Sequence, residues 1–246
     1  MNFLKKIFFG ACAVWGIIIF SVVMIIFIPA FLFTDIYIEP KKSENFLKVS
    51  KVWNWLFIYL TGSSLKVKGK ENFAKGENYI VIYNHNSFLD VPISCPFTPG
   101  ANKTIGKIEM MKIPLFSIPY KRGSVLIDRK SKTSRLNSYS AMLSVLEAGM
   151  HMGVYPEGTR NKTNEPLLPF KPGAFKLAIE TGKSIIPAVI TGTRKALPSG
   201  KGMYYVPSAF TLSFFAPISP VGKTEEALSK ECFEIMYNAY VTNEPK

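Results

Sequence analysis

Cysteine and histidine are scarce in this chain of 246 residues: three of the first and two of the second. Cys12, Cys95 and Cys232 are far apart, odd in number and outside any CxxC, which leaves neither a disulfide framework nor a zinc site. Acidic residues are also few, 17 against 30 lysines and arginines, so the formal net charge is +13. That imbalance points to an anionic partner: nucleic acid, lipid headgroups or a phosphorylated small molecule. Internal repeats are absent, and so are low-complexity tracts apart from one apolar stretch. That stretch is the most local absence of all, because residues 7–33 contain no charge.

Those 27 residues exceed the ~20 that a helix needs to cross a hydrocarbon core. They also outrun the roughly 7–15 apolar residues of a secretory signal. The small residues Ala11 and Ala13 come too early to mark a cleavage site, and the apolar run continues well past Cys12. The expectation is a retained membrane segment. Lys5 and Lys6 on one side and Lys41 and Lys42 on the other leave its orientation unset by flanking charge. In residues 46–60, Phe46, Leu47, Val49, Val52, Trp53, Leu56, Phe57 and Leu60 recur at helical spacing with Lys48 and Lys51 between them. Such a helix either lies in the membrane interface or faces the core of the main domain. Residues 1–60 thus read as an N-terminal anchoring module, and Gly62-Ser63-Ser64 leads into a second region, 61–246. Beside a membrane segment, the economical use of the positive charge is an anionic bilayer surface. A nucleic-acid role lacks a recognisable module and sits badly with an uncharged N-terminal segment.

From residue 65 onward, strand-like and helix-like segments alternate. Residues 65–68, 79–83, 124–127, 152–155, 185–190 and 210–215 read as strands. Residues 131–148, 174–181 and 224–240 read as helices, with Gly149 and Gly182 where helices commonly stop. The expected fold is α/β: a central mixed sheet flanked by helices, preceded by an N-terminal hydrophobic helical membrane anchor.

One of the two histidines, His85, stands in Asn84-His85-Asn86-Ser87-Phe88-Leu89-Asp90, directly after the apolar run 79–83. A histidine can take a proton near neutral pH, and an aspartate can hold its ring and stabilise the imidazolium. On a continuous helix, five residues turn through ~500°, which would point the two side chains about 140° apart. A direct pair therefore needs His85 in the turn after the strand and Asp90 folded back from a helix start. Asn86 or Ser87 can cap that helix, and Pro92 is tolerated in its first turn. With Ser87 read as a cap, no obvious serine or cysteine nucleophile stands beside the pair, which suggests that the substrate brings the attacking hydroxyl.

Downstream come Gly123-Ser124-Val125-Leu126-Ile127-Asp128-Arg129, Tyr155-Pro156-Glu157-Gly158-Thr159-Arg160 and Ile185-Ile186-Pro187-Ala188-Val189. With the His-x4-Asp, this ordered set across residues 65–220 resembles the glycerolipid acyltransferase family, the lysophosphatidic acid acyltransferases. Gly106-Lys107 and Ile113-Pro114-Leu115-Phe116 look like the family's stretch between the first two blocks. The resemblance implies that the free hydroxyl of a 1-acyl-glycerol-3-phosphate attacks the thioester of acyl-CoA or acyl carrier protein. Those thioesters are co-substrates, and no cofactor or metal is implied. His85 would be general base and Asp90 its orienting carboxylate. Backbone N–H groups and Lys107 are candidates for the oxyanion, although a solvated lysine is the default in so basic a chain.

Arg160 and Arg129 suit the acceptor phosphate, since arginine offers a forked, always charged donor set. Glu157 beside a phosphate would be repelled, so it is expected to fix an arginine or bind a glycerol hydroxyl. Gly158 permits close backbone approach, and the Thr159 hydroxyl can donate to phosphate or cap a helix. Asp128 with Arg129 serves either binding or bracing of its own loop. Lys171 reads as solvated, Pro187 as a pocket wall and His151 as structural. The chain departs from the family in Leu115-Phe116-Ser117, where relatives often carry a glycine, and in Tyr155 for the commoner Phe. The resemblance further implies a cytoplasmic-membrane location with the site facing the cytoplasm, and membrane lipid and lysophosphatidic acid as partners. Another lysolipid or hydroxylated lipid acceptor, and a non-catalytic basic lipid-binding protein, are the competing readings.

Overall fold

The run Tyr79-Ile80-Val81-Ile82-Tyr83 is apolar at every position, the mark of a strand covered on both faces. Side chains alternate along a strand, so such a run feeds two cores. Tyr79, Val81 and Tyr83 enter one apolar cluster and Ile80 and Ile82 the other, on opposite faces of a single sheet. The computed structural model describes residues 3–128, 131–200 and 202–244. Among these, the strands are β1 (Ser64–Lys68), β2 (Ile80–Tyr83), β3 (Asn102–Lys107), β4 (Ser124–Ile127), β5 (His151–Val154), β6 (Ile185–Thr191) and β7 (Ala209–Phe214). They lie in the order β1-β7-β6-β2-β5-β3-β4. From β6 to β4 all neighbours are parallel, whereas β7 runs antiparallel to β6 and parallel to β1. The sheet is mixed, as the sequence leads one to expect.

The strand that the pattern does not announce is β3. Its sequence Asn-Lys-Thr-Ile-Gly-Lys has little apolar character, because the buried face needs only Asn102, Thr104 and Gly106. A Cβ on Gly106 would meet the Tyr120 ring at 2.6–2.7 Å, so the close approach of that ring excludes a larger residue. Helices α5 (Lys132–Glu147), α6 (Gly173–Thr181) and α8 (Glu225–Asn243) cover one face.

The other face is covered by α3 (Asp90–Phe97) and by the N-terminal helices α1 (Phe3–Phe33) and α2 (Lys41–Leu60). α2 buries one face in the domain and exposes the other. Phe46, Leu47, Trp53, Phe57 and Ile58 are buried against the domain, while Lys48, Lys51, Trp55 and Tyr59 point outward, the two rings stacked at 5.6 Å. α1 packs on α2 through one stripe, with Phe20 on Trp53 and Phe57 and Phe31 on Phe46. At the turn between them, Asp35 pairs with Lys42 (2.7 Å) and with Arg122 of α4 (Ser117–Gly123), and Glu39 pairs with Lys103 of β3 (2.7 Å). These partly sheltered pairs fix the turn, and the apolar packing shared by α1, α2 and the sheet fastens the hairpin. Helices α1 and α2 accordingly share an apolar core with the sheet.

The outward face of α1 has no polar replacement for what it exposes: Trp15, Ile18, Val22, Ile25, Ile26 and Phe33 stand in solvent. A water-exposed helix normally carries polar residues there. α1 is the one helix among the described residues long and apolar enough to cross a membrane, and only 22% of its most apolar window is buried.

Candidate active site

Strands β2, β5 and β6 are parallel neighbours, so the loops leaving their C-terminal ends meet on one edge of the sheet, the usual crevice of such sheets. His85 leaves β2 in a turn, and Asp90 opens α3, as the spacing requires. Asp90 is fully buried, and its Oδ2 accepts from His85 Nδ1 (2.9 Å), Asn86 N (2.6 Å) and Ser87 N (2.7 Å). The carboxylate can only accept, so Nδ1 carries the proton and Nε2 keeps the lone pair. Asn84 supports the turn by bonding both backbone groups of Ile190 in β6, at 2.9 and 2.7 Å. The helix start differs from expectation in its cap: Leu89 occupies the N-cap and no side chain caps it. Asp90 satisfies the preceding N–H groups instead, while Ser87 Oγ donates to Leu197 O and accepts from Leu89 N.

The loop after β5 grips His85 from the other side. Glu157 Oε1 accepts from His85 N at 2.7 Å, and Asn161 N donates to His85 O at 2.7 Å. The Tyr155 ring packs on the imidazole at 4.4 Å between centroids. The side chain of His85 is still 18% exposed, enough for a substrate to reach it. Glu157 is where the structure departs from the sequence reading. It is buried, its second oxygen accepts from Leu168 N (2.9 Å), and the carboxylate thus holds two backbone N–H groups rather than an arginine or a substrate hydroxyl. Burial pushes its carboxyl up to about 7 despite those two bonds.

Arg160 lies with its guanidinium 3.5 Å from the centre of the exposed Phe88 ring, a stacking geometry that arginine favours. It is partly buried, Nη1 has no hydrogen-bond partner, and among the described residues it makes no ion pair. Burial lowers its proton affinity and the nearby Asp90 charge raises it. A half-sheltered cation that makes no ion pair among the described residues is ready for an anion. Thr159 is exposed beside it. Gly158 adopts φ +70°, and a Cβ there would strike the Lys171 stem at 2.9 Å. Lys171 therefore runs its stem over this turn while remaining exposed, in keeping with the solvated reading.

The remaining expected residues are distributed around this edge. Lys107 ends β3, one strand beyond β5, and Asp128 follows β4 with its N–H donated to Ser134 Oγ (2.9 Å). Arg129 lies outside the described residues. Pro187 is buried in the middle of β6. Sequence reasoning missed Thr193, whose Oγ1 donates to Asp90 Oδ1 at 2.7 Å, and Tyr240, whose hydroxyl accepts from Asn86 Nδ2 at 3.2 Å. No serine or cysteine among the described residues bonds to His85, and burial pushes the Cys95 thiol up to about 12, away from nucleophilic use.

A sequence model of the family described as Acyltransferase matches residues 64–191, from β1 to the end of β6. The chain belongs to the acyltransferase family. The matched acyltransferase segment contains His85, Asp90 and the whole 155–160 block. Among curated relatives, a 1-acyl-sn-glycerol-3-phosphate acyltransferase of Cocos nucifera is 29% identical over 193 residues, 78% of this chain and 61% of that protein. The alpha form from Homo sapiens is 30% identical over 188 residues, 76% of this chain and 63% of its own length. The chain thus spans somewhat over 60% of these two relatives. The fold is that of the crystal structure of the 1-acyl-sn-glycerophosphate (LPA) acyltransferase PlsC from Thermotoga maritima, with a TM-score of 0.83 at 24% identity, covering 98% of this acyltransferase-family chain and 99% of the other.

Proposed function

We propose that this protein transfers an acyl chain from acyl-CoA or acyl carrier protein to the sn-2 hydroxyl of 1-acyl-glycerol-3-phosphate, giving phosphatidic acid at a membrane. The observation that carries this reading is a histidine that bonds to no serine or cysteine among the described residues, on the same edge as an arginine that makes no ion pair among them. The base calls for an external hydroxyl, and the arginine for a phosphate on the same molecule. His85 Nε2 takes the proton of the acceptor hydroxyl as its oxygen bonds to the thioester carbon. Asp90 holds the resulting imidazolium. The tetrahedral oxyanion takes hydrogen bonds from backbone N–H groups or Lys107, collapses, and expels the thiolate, which recovers the proton from His85. The products are the ester and the free thiol carrier, with no acyl-enzyme between. Arg160, with Arg129 and Thr159, binds the phosphate, and Glu157 and Gly158 shape the loop that presents them.

The apolar outer face of α1 and the Trp55–Tyr59 stack on α2 support placement of the hairpin in a bilayer, with the basic surface toward anionic headgroups. This location brings the base to a lipid hydroxyl; the cytoplasmic side is the side where thioester carriers occur. Two measurements test the proposal. With one acyl donor and a panel of acceptors, free thiol release is expected to be fastest with lysophosphatidic acid; a faster reaction with an acceptor lacking a phosphate monoester overturns the acceptor assignment. Replacing Trp15, Ile18 and Ile25 together by Gln is expected to release the folded protein from anionic vesicles in flotation; unchanged binding overturns the hairpin placement.

A further inference from the structure

Asp90 has two oxygens with unequal neighbourhoods. Oδ2 accepts three hydrogen bonds, at 2.6, 2.7 and 2.9 Å, the longest being the one to His85 Nδ1. Oδ1 accepts one, from Thr193 Oγ1 at 2.7 Å. Both side chains are fully buried. Three donors on one oxygen and one on the other is an arrangement that a free carboxylate would relax by turning about its Cβ–Cγ bond. The donor most easily lost in such a turn is the imidazole, since the other two are backbone groups of the adjoining residues.

We infer that Thr193 is a positioning residue for the catalytic pair: its hydroxyl pins the outer oxygen of Asp90, so that the inner oxygen stays on His85 Nδ1. Several features place that hydroxyl. Thr193 opens α7 (Thr193–Ala196) immediately after β6, and its hydroxyl caps nothing; the N-cap is Gly192. Gly192 has φ +84°, and a Cβ there would lie 2.2 Å from the Ala209 carbonyl oxygen, so this left-handed corner requires glycine. The Glu244 carboxylate of the C-terminal segment accepts from Gly192 N at 3.1 Å and fixes the corner from outside. On the other flank, Ser87 Oγ donates to Leu197 O at 2.8 Å, which docks the same turn on the His85 loop. Thr193 lies two residues beyond the segment that the family model matches. Its part in the site is visible only in three dimensions.

The rate readout rests on the acyl-transfer reading, so a second readout independent of substrate accompanies it. Thr193→Val keeps the β-branched shape and removes the donor. It is expected to lower kcat by about 10–100-fold, the usual worth of a hydrogen bond to a buried charge, with both KM values within about twofold. Thr193→Ser keeps the donor and is expected to restore kcat to within about threefold. In a His85→Ala background, Thr193→Val is expected to add nothing, because the two act as one unit. In 15N-histidine-labelled protein only two imidazoles contribute, and the low-field Nδ1–H signal of His85 is expected to persist in the wild type and the Ser variant and to be lost to exchange in the Val variant. Full kcat in Thr193→Val, failure of Ser to restore it, or an unchanged Nδ1–H signal in the Val variant overturns the inference. If the wild type transfers no acyl group to lysophosphatidic acid, the functional reading fails, and the imidazole signal alone still decides the role of Thr193.

Discussion

The chain's two histidines sit at opposite ends of neighbouring parallel strands and are built to opposite ends. His85 follows β2 on the C-terminal edge of the sheet, while His151 begins β5 on the N-terminal edge. Each uses Nδ1, but with the bond reversed. His85 Nδ1 donates to the buried Asp90 carboxylate, which leaves the Nε2 lone pair free to accept. His151 Nδ1 accepts from Tyr79 N at 3.0 Å, which fixes the proton on Nε2. The His151 ring is stacked on Tyr79 at 5.7 Å and meets the edge of Phe73 at 5.2 Å, no carboxylate among the described residues pairs with it, and burial lowers its pKa to about 4. The proposed base and the buried filler thus differ in what faces one ring nitrogen.

The largest expected contrast comes from removing each ring. His85→Ala is expected to lower kcat by up to about 10⁴-fold, the upper range for a lost general base. His151→Phe is expected to leave the rate per folded molecule unchanged. Thiol-release assays normalised to folded protein check both, and a comparable loss in the two variants breaks the comparison. Asp90→Asn sharpens it, because an amide can donate to Nδ1 and so give His85 the tautomer of His151. A loss of about 10²–10³-fold in kcat, with folding retained, is expected. Arg160→Ala acts on binding instead. The acceptor KM is expected to rise about 10–100-fold while the KM of the acyl donor moves less than about twofold. An equal rise for both would remove Arg160 from the phosphate site.

The sequence already separated these two histidines, and its reasons were local. His85 has Asp90 within reach across one turn, whereas the Glu147 that precedes His151 by four residues belongs to the helical stretch before Gly149. The strands that bury both faces were equally legible, because their apolar runs are continuous. β3 was not, since close packing around Gly106 replaces the apolar pattern there. Thr193 and Tyr240 were hidden because they reach the His85 loop across 103 and 154 residues, respectively, and no spacing rule links such positions. For Glu157 the sequence offers an arginine or a glycerol hydroxyl as partner, since a carboxylate beside a phosphate is repelled. Burial and two backbone N–H groups turn it inward. Along one short loop, the side chains that meet solvent were the readable ones.

At neutral pH the smallest contrast is one of stability, and acid reverses it. His151→Phe retains the ring stack but leaves Tyr79 N–H without its acceptor, at a cost of about 1–2 kcal/mol. The wild type is therefore the more stable at pH 7. Its His151 has a folded pKa of about 4 against an ordinary value of 6.5, so between those values the unfolded chain binds more protons. Stability from the neutral ring is thus present above pH 6.5 and lost as pH falls, by about 3 kcal/mol near pH 4. Glu157 has the opposite sense: its carboxyl is raised from 4.5 to about 7, and that contribution is present at low pH and lost as pH rises through 7. It is common to both chains and cancels in their difference. Urea midpoints measured from pH 7 to pH 4 are expected to converge and then cross, the Phe variant becoming the more stable by about 1–2 kcal/mol at the acid end. A difference that stays constant with pH would mean that His151 titrates as an exposed histidine does, and the contrast between the two rings would then rest on catalysis alone.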